Sequence, residues 1–261
     1  MILTNPHSET IFVFGSNLAG RHGAGAALVA KRDFGAQIGV GVGMTGSSYA
    51  LATKDERLQV LPLEVIAAHV ADFLDYARAN PEKRFRVTRV GCGLAGYRDE
   101  DIFPLFKDAP DNCMLPGIWE AKRTGVARVI IAGTRSFSDY DRLFYSTEEA
   151  IKDWGIKEPV IVSGGAKGAD ALGERFAIEA GYDLVRFPAE WNRLGRRAGP
   201  ERNLDMAWYS THALVFWDGA SPGSKHMLDC AKDNRLRRRL ESFDPQKLLQ
   251  LGETPAQRVG F

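Results

Sequence analysis

The chain is short of cysteine. Cys92, Cys113 and Cys230 are an odd number with no C-x-x-C spacing, which excludes a disulfide frame and a cysteine zinc cage and fits a reducing cytosol. It also lacks any apolar run of the roughly 18 residues a membrane span needs, and its first residues show no signal-peptide core. A cytoplasmic protein with no membrane partner is expected. An excess of one charge is missing too: 34 basic residues face 33 acidic ones, for a net charge of +1. Such a balance makes nucleic acid an unexpected partner and leaves only local basic patches, at Arg193, Arg196 and Arg197 and from Arg235 to Arg239, to argue otherwise. With five histidines and no histidine–carboxylate cluster, neither a metal nor a resident cofactor is expected.

What is there is an α/β alternation in 261 residues, a length suited to one or two domains. Ile11–Phe14, Tyr49–Ala52 and Phe85–Val90 read as short buried strands, and residues 111–115 as one more. Between them lie a helix from Ala26 to Phe34, a helix started by Pro62 with Leu63, Ile66, Val70, Leu74 and Ala77 on one face, and a short one from Asp99 to Phe106. Pro116-Gly117 opens a turn-rich boundary. A second alternation then begins at Arg128: strands at Val129–Ala132, Val160–Val162, Tyr182–Phe187 and Ala213–Trp217, helices at Tyr140–Asp153, from Ala169, at Asn203–Tyr209 and at Ser224–Asp233, and a long polar loop from Pro188 to Arg202. The arginine-rich tail beyond Asn234 reads as a solvated helix face, with a phosphate-binding arm as the alternative. Strands alternating with helices predict parallel sheets whose ligands sit outside the strands' carboxyl ends. The domains are therefore drawn at 1–122 and 123–235, followed by a tail at 236–261.

The stretch Val160 to Asp170, Val-Ile-Val-Ser-Gly-Gly-Ala-Lys-Gly-Ala-Asp, is a buried strand, a glycine turn and a helix start. Ser163, Gly164, Gly165 and Gly168 allow the backbone to approach a ligand closely, and a helix N-terminus favours an anion. A nucleotide phosphate is the expected guest. Asp170 could accept a ribose hydroxyl or serve as an N-cap. Arg135 follows a strand and could hold a phosphate with two donors. Arg202, Asn203 and Asp218 fall at element ends that should face the same crevice. Trp191 and Trp217 read as core.

These residues carry a resemblance. Arg128-Val-Ile-Ile-Ala-Gly-Thr-Arg-Ser-Phe-Ser-Asp-Tyr140, the glycine turn, Phe187-Pro-Ala-Glu-Trp191, Ala198-Gly-Pro-Glu-Arg-Asn203 and Val215-Phe-Trp-Asp-Gly219 occur in that order. Together they resemble the YspA-type branch of the SLOG superfamily, Rossmann-like domains related to the cytokinin-activating LOG enzymes and to the DNA-processing protein DprA. The resemblance covers Arg128 to Asp233 and implies a doubly wound parallel sheet, a nucleotide-type ligand and self-association. LOG enzymes carry Pro-Gly-Gly-x-Gly-Thr-x-x-Glu, whose glutamate acts on an N-glycosidic bond. Here a serine replaces the proline and an extra residue precedes Gly168, which leaves Glu174 out of register. Binding is the firmer inference from this half.

The first half resembles a macro domain, a three-layer α/β/α fold, in the branch that removes ADP-ribose from carboxylate esters; similar domains occur in phage proteins. The residues that carry this are Gly23-Ala-Gly-Ala-Ala27 with Phe34-Gly35, Tyr49-Ala-Leu-Ala-Thr-Lys54 and Val90-Gly-Cys-Gly-Leu-Ala-Gly96. In that branch a strand-end lysine attacks the anomeric carbon and an aspartate in the Gly-Cys-Gly-Leu-Asp loop assists. The resemblance puts Lys54 at the lysine position and Ala95 at the aspartate position; Asp99 and Asp101 lie close enough in sequence to substitute. Lys54 could equally be a surface lysine paired with Asp55 or Glu56. Gly23, Gly25, Gly91, Gly93 and Gly96 are the expected phosphate and ribose cradles. Asn17 could bond a ribose or base, or close its own turn. His22 reads as solvent-facing, and Tyr97 as a ribose stack or a packing residue.

The sequence thus leads to a protein, phage-encoded by resemblance, that binds and could hydrolyse ADP-ribose-like or cyclic nucleotide metabolites, with a non-catalytic sponge or sensor and a DprA-like nucleic-acid factor as rivals. A role against nucleotide-based immune signals is the expected setting.

Overall fold

A computed structural model describes residues 10–244. The chain divides into two compact units at Arg123 and Thr124.

The first unit runs β1 (Thr10–Asn17), α1 (Gly25–Phe34), β2 (Gly43–Thr45), β3 (Ser48–Lys54), α2 (Leu63–Ala79), β4 (Arg84–Val87), α3 (Asp99–Phe106), β5 (Cys113–Met114) and α4 (Gly117–Thr124). Its sheet has the order β2-β3-β1-β4-β5, parallel throughout except for the antiparallel edge strand β2. Alternation along β1 explains the layering. Val13 points into a core with Leu51, Phe73, Phe85 and Trp119, whereas Phe12 and Phe14 meet Ala27 and Ala30 of α1 with Ala50. A sheet apolar on both faces must be covered on both, and helices do so here. Strand β2 and helix α4 are absent from the sequence reading. Three residues around two glycines give little periodicity, and α4 begins at the Pro116-Gly117 pair that reads as a turn.

The second unit runs β6 (Arg128–Gly133), α5 (Tyr140–Trp154), β7 (Val160–Ser163), α6 (Ala169–Ala180), β8 (Leu184–Arg186), α7 (Trp191–Leu194), α8 (Ala198–Tyr209), β9 (His212–Trp217), α9 (Pro222–Asp233) and β10 (Arg237–Ser242). All its strand pairs are parallel, in the order β10-β9-β6-β7-β8. Val129, Ile131, Leu214 and Phe216 face the side covered by α5 and α6, and Ile130, Ala213 and Val215 are buried on the other, where α8 and α9 pack. This is a doubly wound α/β fold. The chain winds outward from β6 through β7 to β8, then returns to lay β9 on the other side of β6. A switch point therefore lies between β6 and β9, where crevices form at the strands' carboxyl ends.

The tail from Arg237 to Ser242 is a strand beside β9, not a helix face. Exposed Arg238, Leu240 and Ser242 alternate with half-buried Arg239 and Glu241, as on an edge strand, and charges suit an edge because they oppose further pairing. The expected polar loop from Pro188 to Arg202 instead holds α7 and the start of α8, so Arg202 and Asn203 lie inside a helix. Among the described residues no helix is long and apolar enough to cross a membrane.

Candidate functional site

Each unit has a cleft at the carboxyl ends of its strands. In the first, Gly15 to Asn17 of β1, Thr53 and Lys54 of β3 and the Thr88–Gly91 segment after β4 enclose about 430 Å³, with the loops at 23–25 and 93–95 as rims. Gly23, Gly25, Gly91 and Gly93 line it as expected, and Gly96 does not. Lys54 lines it, and its ammonium group has no hydrogen-bond or ion-pair partner among the described residues: Asp55 is instead occupied by the backbone N–H groups of Arg57 and Gln59. Arg21 and Arg89 add two cations. Among the described residues no aspartate, glutamate or histidine lines the cleft.

The other first-unit candidates have structural occupations. Asn17 accepts from the Arg21 N–H at 3.0 Å and donates to the Arg21 carbonyl at 2.8 Å, so its carboxamide pins the loop in front of the cleft. Asp99 is buried beside Arg89, which donates Nε to it at 2.8 Å and Nη2 at 2.5 Å, and it also accepts the Trp119 indole N–H at 2.7 Å. Its carboxylate orients the arginine and stays out of the cleft. Asp101 accepts from the Arg98 N–H at the start of α3, which holds its carboxyl below the usual range. His22 is buried, not solvent-facing; it lies edge-on to Phe14, with Nε2 3.3 Å from the Ser16 hydroxyl, and burial lowers its pKa. Tyr97 donates to the Leu61 carbonyl and packs. The sequence reading missed Arg89. Strand β4 ends at Val87, so Arg89 stands in the loop over the cleft, two residues beyond the strand.

In the second unit two lobes share Arg135, Ala166 and Arg202. One, of about 450 Å³, lies at the switch point and is walled by Gly133–Ser136, Asn203 and the Ser221–Ser224 start of α9. The other, of about 580 Å³, lies beyond β7 and β8 and is walled by Gly164–Lys167, Arg186 and Trp191. Trp191 is 52% exposed, not core. Trp217 is partly buried and donates its indole N–H to the Ser221 carbonyl.

The glycine turn is arranged differently from the expected phosphate cradle. Asp170 is 2% exposed, and its carboxylate accepts from the Gly133 N–H at 3.3 Å and the Gly164 N–H at 3.2 Å. The Ala166 N–H at 3.5 Å is a third, weaker donor, and Arg202 stands 3.7 Å away. The Ser163 hydroxyl takes the Gly165 N–H and donates to Glu174, which also pairs with Arg186. The protein's own carboxylate thus fills the anion position, acting neither as an N-cap nor as a free ribose acceptor. Burial raises the Asp170 pKa and lowers that of Arg202, with the partner's charge working against each shift. Gly168 has φ +79° and lies so close to the Thr134 and Arg135 backbone that a side chain there would collide with it. It closes the turn and lines neither lobe. Ser163 lines neither lobe either. Asp218 accepts from the Ala220 and Ser221 N–H groups and forms the turn into α9.

What remains to meet an anion is side-chain charge. Arg135 and Lys167 are exposed on the crevice with no ion-pair partner among the described residues. Arg202 donates to the Gly164 carbonyl at 2.7 Å, and Asn203 to the Gly223 carbonyl at 3.2 Å, so both are fixed in place beside them. Outside the crevice part of the basic patches is compensated. Arg193 pairs with Glu190, Arg197 with Glu201, and Arg239 with Glu149, Asp153 and Glu241.

Strand order and switch-point crevice define a doubly wound α/β domain, and residues 127–194 match the YspA, cpYpsA-related SLOG family. The chain is also 31% identical over 110 residues to the Gene 61 protein of Mycobacterium phage D29, a match that spans 39% of this chain and 85% of that protein, and it belongs to the same family. No solved structure matches it.

Proposed function

We propose that the protein binds nucleotide-type ligands in both clefts, ADP-ribose-like in the first, and that it holds them without turnover. The observation that carries the second cleft is the unpaired Arg135 and Lys167 beside the exposed Trp191 at the strands' carboxyl ends: charge for a phosphate next to a face for a base. For the first, the macro-like resemblance supplies the ligand class, and Lys54, Arg21 and Arg89 over the glycine loops supply matching charge. Ala95 stands where the resemblance expects a carboxylate, and among the described residues no carboxylate or imidazole lines the cleft. With phage kinship, a sequestering role against NAD-derived or cyclic nucleotide signals fits these features.

A second reading rests on Lys54. An unpaired amine at a strand end is placed to attack an anomeric carbon, and it would make the first unit a glycosidic- or ester-bond hydrolase. One incubation separates the two. The pure chain is mixed with ADP-ribose, NAD, cyclic ADP-ribose isomers and ordinary nucleotides, and the solution is chromatographed before and after heat denaturation. Sequestration predicts a nucleotide depleted and returned intact by heat. A new product that disappears with Lys54→Ala would replace that reading with hydrolysis.

A further inference from the structure

The first cleft has an apolar rim that its charge does not explain. Leu94, on the loop after β4, is 69% exposed, and Leu58, in the turn after β3, is 44% exposed; both line the cleft. Leu58 also sits at φ +66°, a left-handed conformation that a leucine adopts at a cost of about 1 kcal/mol. The turn around it is tightly held: Asp55 accepts from the Arg57 and Gln59 N–H groups, and the Asp55 N–H returns to the Gln59 carbonyl. A glycine would suit that backbone better, yet a large apolar side chain is displayed at the mouth of a cationic cleft. Leu94 in turn lies against the outer face of Gly25, where a β-carbon would come within 3.5 Å, so the loops at 25 and 94 share this rim.

We infer that Leu58 and Leu94 form a clamp for a planar apolar ring carried by an anionic ligand whose phosphates lie toward Lys54 and Arg21. This rests on the nucleotide reading of the first cleft and deepens it, since it makes the ring a determinant of selection. Lys54 and Arg21 line the same cleft as the two leucines, so a ligand that joins an anionic group to a ring meets both the charge and the surface that a ring would remove from water. Strain at Leu58 is then the cost of presenting its side chain, as strained residues at ligand clamps commonly show.

The test is calorimetric titration of the full chain with ADP-ribose, NAD and ribose 5-phosphate, in an Arg135→Ala, Lys167→Ala background that silences the second cleft. Ring-bearing ligands are expected to bind about tenfold or more tightly than ribose 5-phosphate. Leu58→Gly should weaken them about tenfold while leaving ribose 5-phosphate unchanged and raising the melting temperature, because the strain is relieved. Leu94→Ala should weaken the same ligands without that gain. Equal affinity for ring-bearing and ring-free ligands, or wild-type affinity in both leucine variants, would overturn the clamp while leaving the cleft a phosphate site. Absence of binding by all three compounds would remove the nucleotide reading of this cleft and the clamp with it.

Discussion

At the scale of single residues, Asp99 and Asp101 have different consequences for the fold. Asp99 is shared by Arg89 and Trp119 in a buried setting, and deleting one partner of such a pair leaves an uncompensated charge. Asp99→Ala should therefore destabilise the first unit by about 3–5 kcal/mol, seen as a lowered transition in a denaturant melt. Asp101→Ala removes an exposed helix-end contact and should leave the transition nearly unchanged. Equal effects would contradict the assigned roles. The same scale shows what sequence could reveal. Lys54, Arg135 and the glycine loops were legible, because residue type and strand-end position suffice to place them. The positions of Asp170 and Asn17 were legible, but not their partners. Which donors a short polar side chain takes depends on backbone groups brought together by folding, here Gly133 with Gly164, and Arg21 with Asn17.

At the scale of elements, the buried strands and amphipathic helices followed from their periodicity, and the edges did not. Strand β10, Arg-Arg-Arg-Leu-Glu-Ser, is charged with little burial, so its sequence looks like any solvated segment until β9 gives it a ladder. That pairing has an electrostatic consequence. His212 begins β9, tilted against Trp154, and burial together with the facing Arg237 of β10 lowers its pKa to about 4. A histidine whose pKa is lower folded than unfolded binds fewer protons in the folded state between about pH 6.5 and 4. Its contribution is present above pH 6.5 and is lost as pH falls toward 4. After discount for partial exposure the loss is about 1–2 kcal/mol. Melting of the second unit should fall over that range, and His212→Gln should flatten the profile; an unchanged profile would contradict the assignment. Helix α7 makes a comparable point. It places Trp191 on the crevice, whereas an isolated tryptophan in a polar stretch reads as core. Trp191→Ala should weaken nucleotide binding in the second cleft about tenfold, measured by titration with ADP, and leave the melting temperature within a degree or two.

At the scale of the whole molecule, two α/β units each bring unpaired cations to a strand-end cleft. Residues 127–194 of the second match the YspA, cpYpsA-related SLOG family. Its most distinctive feature is that Asp170 already accepts from N–H groups of the glycine turn, and we propose that an anion is therefore met by side chains and not by the turn's backbone. That is the central claim, and it can be tested directly by comparing dissociation constants for ADP in the wild-type chain and in Lys167→Ala and Arg135→Ala variants, at two salt concentrations. The account predicts about a tenfold loss for each substitution and a shallower salt dependence, as expected when a charge-assisted contact is removed. Wild-type affinity in both variants, with the salt dependence intact, would mean that the turn's backbone receives the phosphate after all, and would contradict it.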